Sequence, residues 1–145
     1  VHSPFVFFFL FDVLNEKHPY YAFKDIERTR INLLSDHSTI FVNDHGTGIS
    51  RERKVSDIAR TCVKRRKEAQ MLFRLACLMQ PKNILELGTS LGITTLYLSS
   101  ARPSANIYTI EGKIVLSTDL FDNALTRIQV GKGVYIVNGQ KVIVY

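Results

Sequence analysis

The sequence has few cysteines and no long apolar run, and both features restrict the class of protein. Its 145 residues include two cysteines, Cys62 and Cys77, without a CxxC pair or paired histidines. This argues against a disulfide or zinc framework and indicates reduced thiols in a cytoplasmic protein. The chain has no internal repeat and no low-complexity linker. Hydrophobic residues make up 46% and charged residues 22%, as in a soluble globular domain with a core.

The most apolar segment lies at the N-terminus, 5-FVFFFLFDVL-14, and spans only ten residues. A membrane span needs about 20 apolar residues. A secretory signal needs a basic start, whereas only His2 precedes this run. Ser3 and Pro4 instead indicate a helix N-terminus. The sequence therefore predicts a buried helix over about residues 4–15 and no contact with a membrane.

The net charge of +6 is confined to one stretch between Arg51 and Arg74. This stretch holds nine Lys/Arg and three Asp/Glu, while the rest of the chain carries ten of each sign. Such a patch predicts binding of phosphates, nucleic acid or another anion. The alternative is a solvated helix face, and no aromatic residue interleaves 60-RTCVKRRKEAQ-70 to stack on bases.

Helical patterns dominate the first half of the chain. Residues 19–34 predict a helix, residues 51–54 a charged loop, and residues 68–80 a second helix that ends at Pro81. The first helix is expected to place Ile26, Ile31 and Leu34 on its inner face, and Glu27, Arg28 and Arg30 on its outer face. The second is expected to bury a stripe of Met71, Leu72, Leu75, Leu78 and Met79.

The second half changes to alternating strands and helices. The expected elements are a strand at 83–87, a loop at 88–92, a helix at 93–101, a strand at 106–111 and a helix at about 115–127. This order predicts a parallel βαβ unit. Residues 134–145 form two β runs around Asn138-Gly139, which predicts a tight hairpin.

The glycine-rich loop from Glu86 to Gly92, called the Glu86 loop below, has a physical task at each position. Glu86, at the end of a strand, can accept hydrogen bonds from an ammonium group or from loop amides. Gly88 allows a sharp turn, Ser90 is small enough for a ligand to approach the backbone, and Gly92 allows close packing of the next helix. The helix N-terminus offers free N–H groups to an anionic group.

An acid on the next strand strengthens this interpretation. Glu111 follows Gly92 by nineteen residues and is placed to accept hydrogen bonds from both ribose hydroxyls of an adenosine ligand. The stretch from Asp44 to Ser50, called the Asp44 loop below, fits the same glycine template without this context. A charged run follows it, and the acid about twenty residues later is Glu68, inside a basic helix. It is expected to be a flap, a substrate loop or a simple turn.

The segment 83-NILELGTSLGITTLYLSSARPSANIYTIEG-112 resembles the opening βαβ unit of class I S-adenosylmethionine-dependent methyltransferases. The closest resemblance is to small O-methyltransferases related to catechol O-methyltransferase. It is strong over residues 70–112, weaker over residues 1–69 and absent from about residue 129 onward. The resemblance implies an α/β, Rossmann-like fold with an incomplete parallel sheet. The residue patterns add an N-terminal helical region and a C-terminal β-hairpin. It divides the chain into an N-terminal cap or substrate region, 1–69, and a partial cofactor-binding domain, 70–145.

The resemblance also implies S-adenosylmethionine as the cofactor and O-methylation of a small molecule as the reaction. Glu86 would lie near the methionine amino group, and Glu111 would hold the ribose hydroxyls. The residues expected to line the methionine and ribose are Gly88, Thr89, Ser90 and Gly92. Ser90 also disfavours NAD, because it replaces the middle glycine that a pyrophosphate needs. Two alternatives are an RNA methyltransferase that uses the basic stretch and a non-catalytic fragment.

The chain departs from this family in its second half. The family's sheet has seven strands, whereas only two can be assigned here, and nothing after about residue 128 matches the family's metal or substrate residues. Together with Val1 in place of an initial methionine, this suggests a truncated or processed chain. No catalytic residue and no metal ligand can be assigned. His45 is a candidate general base, although a lone loop histidine is more often solvated.

Overall fold

A computed structural model describes residues 3–42, 50–108, 114–116, 133–137 and 140–144. Within these ranges the fold is a mixture of helices and small β-sheets. The Asp44 loop, except Ser50, lies outside the described residues, and so do Glu111 and the turn residues Asn138 and Gly139. The strands after Tyr108 are described by their backbone alone.

The N-terminal helix is present, but it is not buried. It consists of α1 (Pro4–Phe8) followed by a π-helical segment (Phe9–Leu14). Ser3 occupies the N-cap position, although its side chain makes no capping hydrogen bond. Only Val13 is buried, and seven large apolar side chains are 42–54% exposed: Phe5, Val6, Phe7, Phe8, Leu10, Phe11 and Leu14. The prediction of a buried helix was therefore wrong, because an almost uniformly apolar run does not reveal which face meets a partner.

Helix α2 (Phe23–Leu34) is shorter than predicted, and its faces differ from the expected ones. Ile26 is buried as expected, but Ile31 is 61% exposed. The side chains of Glu27 and Arg30, expected outside, are only 16% and 12% exposed. Arg30 Nε contacts both carboxylate oxygens of Glu27 at 3.1 Å. The pair also reaches other elements, since Tyr97 OH donates to Glu27 Oε1 at 2.8 Å and Arg30 Nη1 donates to Lys64 O at 2.7 Å.

Residues 51–54 form a strand, which corrects the predicted charged loop. Strand β1 (Thr39–Val42) pairs antiparallel with β2 (Arg51–Lys54), and α3 (Val55–Thr61) follows directly. The charged sequence of β2 is tolerated because the strand is largely exposed. Arg53 is the partial exception, since its guanidinium donates to Thr61 Oγ1 at 3.0 Å.

Helix α4 (Arg66–Met79) ends before Pro81, as predicted, with Gln80 in a left-handed conformation (φ 48°). The predicted Met/Leu stripe is only partly buried, and Met79 is 57% exposed. The buried positions are instead Ala69, Phe73, Arg74 and Ala76. Phe73 joins Phe23 of α2 in an edge-to-face contact with ring centroids 5.0 Å apart.

The predicted βαβ unit is present in the described residues. Strand β3 (Asn83–Leu85) pairs parallel with β4 (Asn106–Tyr108), and α5 (Ile93–Ala101) connects them. The next element differs from the prediction. Residues 114–116 form strand β5 (Ile114–Leu116), antiparallel to β4, where a helix over about 115–127 was expected. The order β3-β4-β5 is thus a mixed sheet, and residues 117–130 lie outside the described ranges.

The C-terminal hairpin is confirmed. Strand β6 (Gly133–Val137) pairs antiparallel with β7 (Gln140–Val144), and Val137 faces Gln140 across the two-residue connection. This spacing is the one that Asn-Gly favours in a tight turn.

One hydrophobic cluster joins both parts of the chain. It contains Phe23 and Ile26 of α2, Ile58 of α3, Phe73 of α4 and Tyr97 of α5. The division at residues 69 and 70 stays a prediction, although the core itself crosses that boundary. Among the described residues, no helix is both long and apolar enough to cross a membrane.

Candidate functional site

The Glu86 loop leaves the sheet at the end of β3. The strand itself ends at Leu85, but the backbone N–H of Glu86 still donates to Tyr108 O at 3.0 Å. This bond holds the first residue of the loop beside the end of β4. The carboxyl ends of parallel strands are where open α/β sheets place their ligands, so the loop occupies the expected position.

Glu86 is a buried carboxylate with one hydroxyl partner. It is 9% exposed, and Thr95 Oγ1 on α5 donates to Glu86 Oε2 at 2.6 Å. Burial raises the pKa of the Glu86 carboxyl, and the hydrogen bond from Thr95 partly offsets this. No ion pair joins Glu86 to a cation within the described ranges. A buried acid of this kind is suited to a cationic group such as an amine, which would stabilise its ionised form.

The backbone of the loop is left-handed at three positions. The φ angles are 82° at Gly88, 50° at Ser90 and 77° at Gly92. Gly88 therefore serves the turn, as predicted. A Cβ atom added at Gly92 would meet nothing within 4 Å, so the predicted reason for this glycine, close helix packing, was wrong. Its positive φ is what favours glycine there.

The loop closes on itself just before α5. Gly92 N donates to Thr89 O at 2.8 Å, and Leu96 N donates to Gly92 O at 2.9 Å, which begins the helix. Thr89 is half-buried and Ser90 is exposed. The first N–H groups of α5 have no acceptor within the helix, and helix N-termini are positions that favour an anionic group.

The predicted site is brought together only in part. The structure places Glu86, Gly88, Thr89, Ser90 and Gly92 in one loop at the sheet edge. Glu111 and His45 lie outside the described residues. No family model matches the chain, and no curated protein or solved structure matches it. The role of Glu111 therefore stays a prediction based on its spacing and on the resemblance.

The basic stretch does not form one uniform surface. Arg74 is buried, Arg53 is bonded to Thr61, and Arg60 forms an ion pair with Asp57 at 3.5 Å. Lys64 contacts Glu68 at 4.0 Å. The cations are divided among β2, α3, α4 and the turn at 62–65, so the stretch is not the face of a single helix.

Two residues next to the loop were not predicted from the sequence. Thr95 holds Glu86, and Tyr97 OH donates to Glu27 Oε1 at 2.8 Å, linking α5 to α2. The sequence could have predicted the role of Thr95, since a hydroxyl in the first turn of a helix can reach back to the end of the preceding strand. Tyr97 gave no signal, because its partner is 70 residues away. Within the described residues, no group of three His, Cys, Asp or Glu could hold a metal ion.

Proposed function

We propose that the protein is a cytoplasmic S-adenosylmethionine-dependent methyltransferase that methylates an oxygen of a small molecule. The observation that carries the proposal is the Glu86 loop, a left-handed turn after a parallel strand that begins with a buried carboxylate. Glu86 has one hydroxyl partner and no cation beside it in the described structure. The resemblance of residues 83–112 to class I methyltransferases supports the same assignment.

The residues present suit the cofactor. An ionised Glu86 would bind its amino group, and the open space beside Gly88 and Gly92 leaves room for its methionine and ribose. Glu111 would hold the ribose hydroxyls. S-adenosylmethionine supplies an activated methyl group on its sulfonium. The chain's own task would be to orient the acceptor oxygen and to exclude water.

Calorimetric titration of the full chain with S-adenosylmethionine and S-adenosylhomocysteine tests this proposal. We expect both ligands to bind. Glu111→Ala should weaken binding by about tenfold or more, because an acid that holds two ribose hydroxyls makes charge-assisted hydrogen bonds. Glu68→Ala is the matched control, since Glu68 is the acid at the corresponding distance from the Asp44 loop. This substitution should leave the affinity for both ligands unchanged.

The titration also separates the alternatives. Absence of heat at millimolar ligand would contradict an intact enzyme and favour a non-catalytic fragment. A larger effect of Glu68→Ala than of Glu111→Ala would assign the ligand to the Asp44 loop. If the acceptor is RNA and the basic stretch binds it, single-stranded RNA should bind with a steep dependence on salt concentration.

A further inference from the structure

A cavity of about 780 Å³ lies between the N-terminal region and α4, away from the Glu86 loop. Its wall comes from residues 14–27 and 66–74, and none of residues 86–92 contributes to it. Pockets for small ligands typically measure about 300–1,000 Å³. The cavity therefore has the size of a ligand site and is separate from the proposed cofactor site.

Arg74 is the unusual residue of this wall. It is 9% exposed, and its Nε donates to Val13 O at 2.7 Å. Among the described residues, no carboxylate forms an ion pair with its guanidinium, and its Nη atoms make no hydrogen bond. Arginine keeps its charge in proteins, and a buried charge without a counter-ion is costly. The Nη1 and Nη2 nitrogens, which bond to no described residue, form a fork that matches a carboxylate or a phosphate.

The acids of the wall are already engaged elsewhere. Glu16 accepts the backbone N–H of His18 at 2.6 Å, and this bond is the main cause of its lowered pKa, with a smaller effect of the Arg74 charge. Glu27 is held by Arg30 and Tyr97, and Glu68 by Lys64. The remaining charged wall residues are cations without an ion pair within the described ranges: Lys17, Lys24, Arg66 and Lys67.

The cavity also has an apolar side. Its wall includes Tyr20, Phe23 and Met71. Tyr20 is fixed by ring contacts with Phe23 and Phe73, at centroid distances of 5.3 and 4.9 Å. The wall thus combines a positive charge that forms no ion pair with a described residue and an aromatic surface held by ring contacts.

We propose that this cavity binds a small organic anion whose carboxylate or phosphate pairs with Arg74 and whose apolar body lies against Tyr20 and Met71. The proposal does not depend on methyl transfer, since it uses no residue of the Glu86 loop. Failure of the cofactor titration would therefore leave it intact, and the reverse also holds.

Binding of simple aromatic anions to the full chain tests the proposal. The probes are benzoate and phenyl phosphate, with benzamide as the neutral control of benzoate, each titrated by calorimetry or by chemical-shift changes. We expect at least one anion to bind about tenfold more tightly than benzamide, because neutral benzamide cannot form charge-assisted hydrogen bonds with Arg74. Preference for benzoate would assign a carboxylate ligand, and preference for phenyl phosphate a phosphate ligand. Equal binding of all three compounds, or binding of none, would overturn the proposal.

Two variants locate the site. Arg74→Lys keeps the charge but loses the fork, and it should weaken binding of the preferred anion by about tenfold. Lys24→Glu tests the same cavity if Arg74→Lys does not fold, because Lys24 is exposed and makes no ion pair with a described residue. Lys24→Glu should weaken anion binding several-fold and leave the binding of benzamide unchanged.

Lys82→Glu is the matched control. Lys82 is also exposed, carries the same charge and does not line the cavity. If Lys82→Glu weakened anion binding as much as Lys24→Glu does, the effect would be one of overall charge. This result would contradict a site at Arg74.

Discussion

At the scale of single residues, the protein contains two buried charged groups that lack a described ion-pair partner. Glu86 is an acid with one neutral hydrogen-bond donor, and Arg74 is a base with one backbone acceptor. Structural ion pairs normally bring opposite charges together in the interior. Neither Glu86 nor Arg74 has an ion-pair partner within the described ranges, and this is the observation that motivates a ligand proposal for each.

Glu86→Gln should make the free protein more stable at neutral pH. The pKa of Glu86 is raised by burial, so its ionisation in the folded state destabilises the fold as pH rises through the interval between its ordinary and raised pKa values. The increase in stability from Glu86→Gln should therefore become smaller at pH values below the ordinary carboxyl pKa, where both side chains are neutral. Melting temperatures measured by circular dichroism from acidic to neutral pH check this.

The control for this prediction is Glu68→Gln on α4. Glu68 is half-exposed, and such surface changes usually alter the free energy of unfolding by less than about 0.5 kcal/mol. A loss of stability in Glu86→Gln that is the same at every pH would contradict the prediction, because it would mean that the carboxylate charge is compensated in the free protein.

At the scale of elements, the contact between α2 and α5 depends on a buried polar network. Tyr97 is fully buried, its hydroxyl donates to Glu27, and Arg30 holds the same carboxylate. Tyr97 also packs on Phe23 with centroids 5.4 Å apart. The two helices are therefore fixed by both an aromatic contact and a directional bond.

Tyr97→Phe should remove only the bond and lower the free energy of unfolding by about 1.5–3 kcal/mol, since its acceptor is charged. Burial and Glu27 raise the pKa of Tyr97 to about 12. The unfolded chain then loses this proton first, so the stability of the wild type should fall between pH 9 and pH 11 by roughly 1 kcal/mol more than that of Tyr97→Phe. Urea unfolding at the two pH values measures both effects. Parallel pH dependence of the two proteins would contradict the network.

At the scale of the whole molecule, strand β3 pairs with one other strand within the described ranges. Its partner is β4, and Leu85 at the end of β3 is 62% exposed, while Leu87 of the Glu86 loop is 68% exposed. Exposed strand edges with apolar side chains promote pairing between chains. The protein is therefore expected to associate at high concentration through β3.

Leu85→Lys should reduce this association without loss of stability, because Leu85 is exposed and a lysine protects a strand edge. Sedimentation velocity at several protein concentrations measures the change. Ile31→Lys is the matched control, since Ile31 is 61% exposed on α2, where the backbone is already hydrogen-bonded. Equal reduction by both variants would show non-specific hydrophobic association instead of edge pairing.

Local sequence patterns predicted the positions of helices and strands better than they predicted which side chains are buried. The helix after Arg65, the strand at Asn83 and the hairpin around residues 138–139 follow from spacing and turn residues. The strand at Arg51–Lys54 does not, because its four charged residues pair with β1 only through the backbone. The partial burial of Glu27 and the exposure of Ile31 depart from the predicted faces of α2, because Glu27 bonds to Tyr97 of α5.

The sequence by itself determined the backbone of the Glu86 loop, because the positive φ angles at residues 88 and 92 of this turn favour glycine. Tertiary structure decided which partners the buried polar side chains of α4 and α5 meet. Thr95, Tyr97 and Arg74 acquire their roles from partners that lie between 9 and 70 residues away in the chain. Such contacts depend on how helices pack over a shared core, and no short stretch of sequence contains that information.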